Sequence, residues 1–423
     1  MKYASVLLAL GCLATALHAQ WLETTIRLDS GDVIGVCFHP PNAKIYASIY
    51  NHSGRVLVVD AGTNTVSKSI AVGIFPHTIV AVPQHNKVYC AIEGDNAIAA
   101  IDATGDSVLK FVPTGYTPDR LCYRAAGGKL YCTNATDGTV TVVDCTTDSV
   151  LRTVTVGTDP ADLCYNSVYN RVYCAINGGD SVSVIDCVTD GVIATVPVGR
   201  EPWALCLSPN QDRVYCANER ASTVSVIDCV TNTVIKSFPV GLHPGALCCA
   251  PANGKVYSAS GDLNSLSVVS CAGDVVIKTI AAGLFPWSMF YNPLNGKLYC
   301  ANWGDSSVSV VDCRKDTVLK TITVGRQPCE FAWDPDQNRI YVANFGDSSI
   351  SVLRDSMSGI VESPVPQAPT RKLEPTILSG ASGVKRLASS VVFDAMGRRV
   401  LNPRSGVLFV REPSAIRKVV IQQ

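Results

Sequence analysis

The sequence predicts an all-β chain folded as an eight-bladed β-propeller of four-stranded blades. Three observations carry that prediction: a strict 42-residue period, four strand-like runs inside each period, and a strand at the amino-terminal end with no partner of its own. Gly73, Gly115, Gly157, Gly199, Gly241, Gly283 and Gly325 recur at that spacing, and each is followed three residues later by Pro76, Pro118, Pro160, Pro202, Pro244, Pro286 or Pro328. Tyr89, Tyr131, Tyr173, Tyr215, Tyr257, Tyr299 and Tyr341 keep the same step, and Tyr46 opens the series one residue out of phase.

Within one period, WALCLSP, RVYCAN, TVSVIDC and TVIKSFPV are short runs rich in Val, Ile, Tyr and Thr, separated by turn residues. SVSV and TVSV alternate with period two, as a strand does when its two sides meet different surroundings, and no segment of the repeat region shows a 3.6-residue pattern. SPNQDR and NPLNGK supply turn chemistry between the first two strands, and DCVTNT and DCTTDS supply it between the last two. A four-stranded antiparallel sheet cannot bury both faces alone. Neighbouring sheets must stack, and a ring of them leaves few open edges.

Repeats beginning near residues 31, 73, 115, 157, 199, 241 and 283 are complete, whereas the eighth, from Gly325, supplies only CEFAWDP, RIYVANF and SISVLRD. VESPVPQAP follows, and Pro cannot serve an interior ladder. WLETTIRL, Trp21 to Leu28, has strand composition, so it is expected to complete the last blade and close the ring at 32 strands.

The chain ends read differently from the ring. Residues 1–19, within MKYASVLLALGCLATALHAQ, have one Lys, a short apolar run and small residues ending at Ala19, the pattern of a secretory signal peptide. A lipidated Cys12 fits less well, because the apolar run continues past it. No later run is long and apolar enough to predict a membrane span. The propeller is assigned to residues 20–356, a Pro-rich linker to 357–375, and a small β-sandwich-like domain to 376–423. From residue 354 onward 11 Lys and Arg face 5 Asp and Glu, so a basic tail of +6 balances a body of −6. The whole chain is neutral, with 35 of each sign, which argues against nucleic acid as a partner.

VYCAN, LYCAN and YVAN, followed by SVSVIDC and VGxxP, resemble the YVTN family of β-propeller repeats found in bacterial and archaeal surface-layer and exported proteins. The chain departs from that pattern by placing Cys where the family more often has Val or Thr, and by having eight repeats where seven blades are common. In the tail, SSVVFDAMGRRV, SGVLFVR and RKVVIQQ resemble the C-terminal sorting domain of proteins exported by the type IX secretion system. That resemblance implies secretion machinery as a partner and passage to the cell surface or the medium.

Residue chemistry narrows the function further. Of 18 cysteines, 17 follow the signal peptide, and they recur at three places: the first strand (Cys122, Cys164, Cys206, Cys248), the second (Cys132, Cys174, Cys216, Cys300) and the end of the third (Cys145, Cys187, Cys229, Cys271, Cys313). Their uneven counts satisfy no within-blade pairing rule. Buried free thiols are favoured, with several disulfides as the alternative that export permits. No C-x-x-C occurs, and no metal or cofactor is expected. Asp60, Asp102, Asp144, Asp186, Asp228 and Asp312 precede Thr-rich turns, where a carboxylate accepts local N–H groups, and the same role is expected of Asn218, Asn302 and Asn344. His39, His52, His77, His85 and His243 are scattered, and H-E-x-x-H, G-x-S-x-G and phosphate-loop motifs are absent.

The blade-to-blade connections GIFPH, GYTPD, GTDPA, GREPW, GLHPG, GLFPW and GRQPC hold Gly and Pro constant while the other residues vary. Constancy sets a loop's shape, and variation can set a surface. In propellers these loops and the second-to-third-strand loops share the face around the channel mouth, so Phe75, His77, Tyr116, Asp119, Arg200, Trp203, Phe285, Trp287 and Trp303 are the candidate ligand-binding residues. The competing reading has Trp203 and Trp287 packed between blades. The sequence therefore favours an exported, non-catalytic binding or scaffold module for a glycan, peptide or surface protein. Its rival is a lactonase-like hydrolase at the channel mouth, which would show a cavity of convergent polar groups with a desolvated titratable residue.

Overall fold

The computed structural model describes residues 20–355 continuously, and beyond them 376–379, 391–393, 406–412 and 415–422. The expected signal peptide, residues 1–19, and the Pro-rich linker, 357–375, lie outside the described residues. The chain divides into two units, Met1–Val361 and Glu362–Gln423.

The first unit is an eight-bladed propeller in which every blade is a four-stranded antiparallel sheet. Blade 1 comprises Asp32–His39, Lys44–Tyr50, Gly54–Asp60 and Thr65–Gly73. Blades 2 to 8 open with first strands Pro76–Val82, Pro118–Arg124, Pro160–Asn166, Pro202–Leu207, Pro244–Ala250, Pro286–Asn292 and Pro328–Asp334. These first strands touch one another around the ring and form the channel wall. Among the described residues the helices are 3-10 turns of three residues, such as Pro40–Asn42.

Blade 8 contributes Pro328–Asp334, Arg339–Asn344 and Ser349–Asp355, and its outer strand is Gln20–Arg27, antiparallel to Ser349–Asp355. The strand thus begins one residue earlier than its composition suggested. Glu23 pairs with Arg339, whose Nε lies 2.8 Å from Glu23 Oε2, while Arg339 Nη1 donates to the Ala61 carbonyl of blade 1 at 2.6 Å. One guanidinium therefore ties together both ends of the ring.

The repeated Tyr explains how blades adhere. In blade 5, the Tyr215 hydroxyl donates to Asp274 Oδ1 of blade 6 at 2.6 Å, and Arg213 Nη1 donates to Asp274 Oδ2 at 2.7 Å and to the Cys271 carbonyl at 3.0 Å. Lys129 and Tyr131 hold Asp190 in the same way, and Lys255 and Tyr257 hold Asp316. These acceptors occupy left-handed positions in the third-to-fourth-strand turn, with φ of 51° at Asp190 and 48° at Asp274. Asp suits both demands, because it tolerates that conformation and supplies a carboxylate. Each repeated Tyr ring is fully buried between sheets, adding a large apolar area to the polar clamp.

The 17 cysteines of the ring are all free thiols, most of them buried. Ala61 and Ala103 stand where Cys145, Cys187, Cys229, Cys271 and Cys313 stand in later blades. The site takes a small apolar residue whose backbone carbonyl is an acceptor of the clamp. Asp60, Asp144 and Asp228 accept turn N–H groups at 2.6 to 3.1 Å, as expected. The Asn positions differ from expectation: Asn218 donates instead to Thr223 and Ser225 hydroxyls, and Asn302 to those of Ser307 and Ser309. The third strand's alternating Ser and Thr place two hydroxyls within 3.0 Å of the amide nitrogen.

In the second unit, Thr376–Ser379, Val391–Phe393, Gly406–Glu412 and Ala415–Gln422 form one four-stranded sheet. Thr376–Ser379 runs parallel to Ala415–Gln422, and the other pairs are antiparallel. No helix among the described residues is long and apolar enough to cross a membrane.

Candidate functional site

A β-bulge interrupts each first strand just after its opening residue, with the pairing register shifting between Pro118 and Leu121, Pro160 and Asp162, Pro202 and Ala204, and correspondingly in the other blades. A bulge re-aims side chains out of the ladder. Here the two residues after Pro line the channel, so these two columns of the repeat decide what the channel can do. They hold His77 and Thr78 in blade 2, Asp119 and Arg120 in blade 3, Asp162 in blade 4, Trp203 in blade 5, Gly245 in blade 6, Trp287 and Ser288 in blade 7, and Cys329 and Glu330 in blade 8.

His77, Asp119, Arg120 and Glu330 converge on a cavity of about 530 Å³ that is also walled by Trp203, Trp287, Trp303 and Phe345. A second cavity of about 160 Å³ continues along the wall past Asp162 and shares Arg120 and Glu330. His77 Nδ1 lies 2.7 Å from Asp119 Oδ1, and Arg120 Nε lies 3.8 Å from Asp119 Oδ2. Burial pushes the Asp119 carboxyl up, but Arg120 and His77 outweigh it and hold the group down at about 2. Asp162 and Glu330 go the other way. Burial raises both, although Asp162 accepts the Leu163 and Leu205 N–H groups at 2.8 Å each, Glu330 accepts Phe331 N–H at 3.1 Å, and Arg120 favours both charges. Among the described residues nothing hydrogen-bonds the Arg120 guanidinium, which therefore presents free donors to the cavity. Cys329 offers no nucleophile: its thiol donates to carbonyls of Val33 and Ala343, and burial drives its pKa far up.

An aromatic arc rims this floor. Phe285 stacks on Trp287 at 6.2 Å between ring centroids, Trp287 meets Trp303 at 5.6 Å, Trp303 meets Phe345 at 5.5 Å, and Phe345 meets Tyr50 at 6.5 Å. Tyr50 stacks on Phe75 at 4.8 Å and meets His77 edge-on at 6.0 Å. The loops hold their shape through shared backbone bonds: Phe75 and Phe285 take left-handed φ of 55° and 53° before Pro, and their carbonyls accept Glu93 N–H at 3.0 Å and Trp303 N–H at 2.9 Å. The constant Gly is set by close approach, since a Cβ at Gly199 would lie 2.7 Å from Asn218 Cγ.

Of the nine candidates, His77, Asp119, Trp203, Trp287 and Trp303 share the larger cavity, and Phe285 and Phe75 belong to the arc above it. Trp203 and Trp287 line the cavity instead of packing between blades, and Trp287 is 38% exposed. Tyr116 and Arg200 fall outside: they follow the constant Gly directly, a column that points to solvent, and Tyr116 is 61% exposed. Sequence reasoning missed Arg120, Asp162 and Glu330, and also Tyr50 and Phe345, which stand four residues after the repeated Tyr as Trp303 does. Reading the second column after Pro across repeats was the signal available. Among the described residues no group of three or more His, Cys, Asp or Glu is placed to hold a metal ion.

No family model and no curated protein matches the chain. Among solved structures it is similar to Kuenenia stuttgartiensis hydrazine synthase, at 16% identity and a TM-score of 0.58, over 79% of this chain and 99% of that one. That likeness supports the propeller fold.

Proposed function

We propose that the protein is an exported, surface-associated propeller that binds the end of a glycan or peptide in its channel mouth without transforming it. The observation that carries the reading is the junction of an aromatic arc with a cavity of about 530 Å³ whose floor holds unspent hydrogen-bonding groups. Aromatic faces supply affinity by stacking, and a few fixed polar groups supply orientation. The test is an array of glycans and peptides probed with the protein and with Trp287→Ala and Arg120→Ala. Hits that vanish in both variants support the reading, and hits indifferent to both overturn it.

The His77–Asp119 pair beside desolvated Asp162 and Glu330 favours hydrolysis as a second reading, since an Asp-oriented imidazole beside a cavity can serve as a general base. Turnover of a lactone or ester panel that His77→Gln abolishes would replace the first reading with this one. Export rests on the signal-peptide pattern and on the tail's likeness to sorting domains, with the finer YVTN assignment resting on the repeat motifs. A chain ending near residue 356 would then stay inside the outer membrane of its host, whereas a truncated chain that still reaches the medium would remove the sorting role.

A further inference from the structure

A third cavity, of about 430 Å³, lies on the rim of blades 5 to 7, and it meets the channel at one place. Trp203, Gly245 and Trp287 line both the rim cavity and the smaller channel cavity. The three residues occupy the same column in consecutive blades, so two indoles stand either side of a position with no side chain. A Cβ built on Gly245 meets nothing within 4 Å, and its φ is not among the positive ones. Glycine is therefore not required there by the backbone or by packing. What its absence of a side chain provides is an open slot from rim to channel.

Charge points to what passes through it. The rim side carries Glu201, Glu219 and Asp262 against Arg220, with His243 Nδ1 2.5 Å from Asp262 Oδ2. Arg220 lies 3.4 Å from Glu201, which leaves Glu219 and Asp262 without a permanent cation, and burial raises the Glu219 pKa. The channel side repeats the imbalance, with Asp119, Asp162 and Glu330 against Arg120, and with His77 Nδ1 2.7 Å from Asp119 Oδ1. Both sides thus hold an excess of carboxylates, and they are joined by indole faces, the best side chains for cation–π contact. We propose that the Trp203–Gly245–Trp287 slot threads an extended basic peptide, with cationic groups over the rim carboxylates and its end in the channel. This rests on the channel mouth being a binding site and adds the class of ligand and its route.

The experiment titrates a fluorescein-labelled Lys-Gly alternating octapeptide into the full chain, with a Glu-Gly octapeptide and labelled cellohexaose as comparators. The Lys-Gly peptide is expected to bind and to weaken as salt rises, and Gly245→Leu, which fills the slot without touching any charge, is expected to weaken it roughly tenfold while melting as the wild type does. If Gly245→Leu melts lower, Glu219→Gln on the rim is the second variant, expected to weaken binding several-fold. Unchanged affinity in Gly245→Leu overturns the route, and binding of cellohexaose with no binding of Lys-Gly overturns the ligand class. Trp303→Ala, which lines the larger channel cavity but neither of the two cavities that the slot joins, separates the two claims: if it weakens binding while the slot variants do not, the channel mouth remains a site and the threading fails. If none of the variants matters, both fail.

Discussion

Removing the Glu23 carboxylate tests how the ring closes. Arg339 is 7% exposed and spans the joint, donating to Glu23 of the N-terminal strand, to the Ala61 carbonyl of blade 1 and to Gln337. The hydrogen bond that Arg339 donates to Glu23 is the largest influence raising the Arg339 pKa. Breaking a fully buried pair costs about 3–5 kcal/mol, because the surviving charge has no counterion. The Glu23 side chain is 25% exposed, and Arg339 keeps two other acceptors, so the expected loss for Glu23→Ala is smaller, about 2 kcal/mol. Urea unfolding of wild type, Glu23→Ala, Arg339→Met and the double variant gives the coupling directly. Hydrogen exchange locates it: amides of Ser349–Asp355, which pair with the N-terminal strand, are expected to lose protection before those of other blades. A surface control, Lys110→Ala, is expected to change stability by less than about 0.5 kcal/mol. A coupling near zero, with exchange unchanged in Ser349–Asp355, would refute closure through this joint.

Three further outcomes follow from the same structure. Asp274→Ala leaves the buried Tyr215 hydroxyl without its acceptor and Arg213 without its counterion, with only the Cys271 carbonyl still accepting from it, so urea unfolding should show a loss of roughly 3 kcal/mol, whereas an effect below about 0.5 kcal/mol would deny the inter-blade clamp its role. Glu330→Gln keeps the acceptor for Phe331 N–H and removes a desolvated charge, so it should melt higher than wild type at neutral pH. Because the folded-state pKa of Glu330 is raised, its ionised form costs stability above that pKa and the cost fades on acidification, so the two melting curves should converge as pH falls; a constant gap would contradict this. Thiol titration without reductant should find few reactive groups in the native ring and close to 17 after unfolding, and a low unfolded count would show disulfides instead.

The ring was legible because its grammar is local. Val-rich alternation, Pro-Asn-Gly turns and a 42-residue step each state a strand or a turn without reference to distant residues, and the missing strand of the eighth repeat could be found by counting. The Tyr series was visible as a period, but its meaning was not. Its acceptor, Asp274 for Tyr215, sits 59 residues on in the next blade, beyond any local pattern. The site was half legible for a related reason. Aromatics such as Trp287 and Trp303 stand out in a loop, whereas Arg120, Asp162 and Glu330 look like ordinary strand residues until the bulge turns them into the channel. Tyr116 and Arg200 were mistaken for lining residues because loop variability does not say which of two adjacent columns faces inward.

The claim that the channel mouth is the binding surface is tested most directly by a crystal structure of the protein with the strongest ligand from the glycan and peptide array. The account predicts ligand density against the Trp287–Trp303–Phe345 wall, with a polar group within hydrogen-bonding distance of the Arg120 guanidinium. Density confined to the outer strands or to the opposite face, with the channel side chains unmoved and the cavity holding only water, would contradict it.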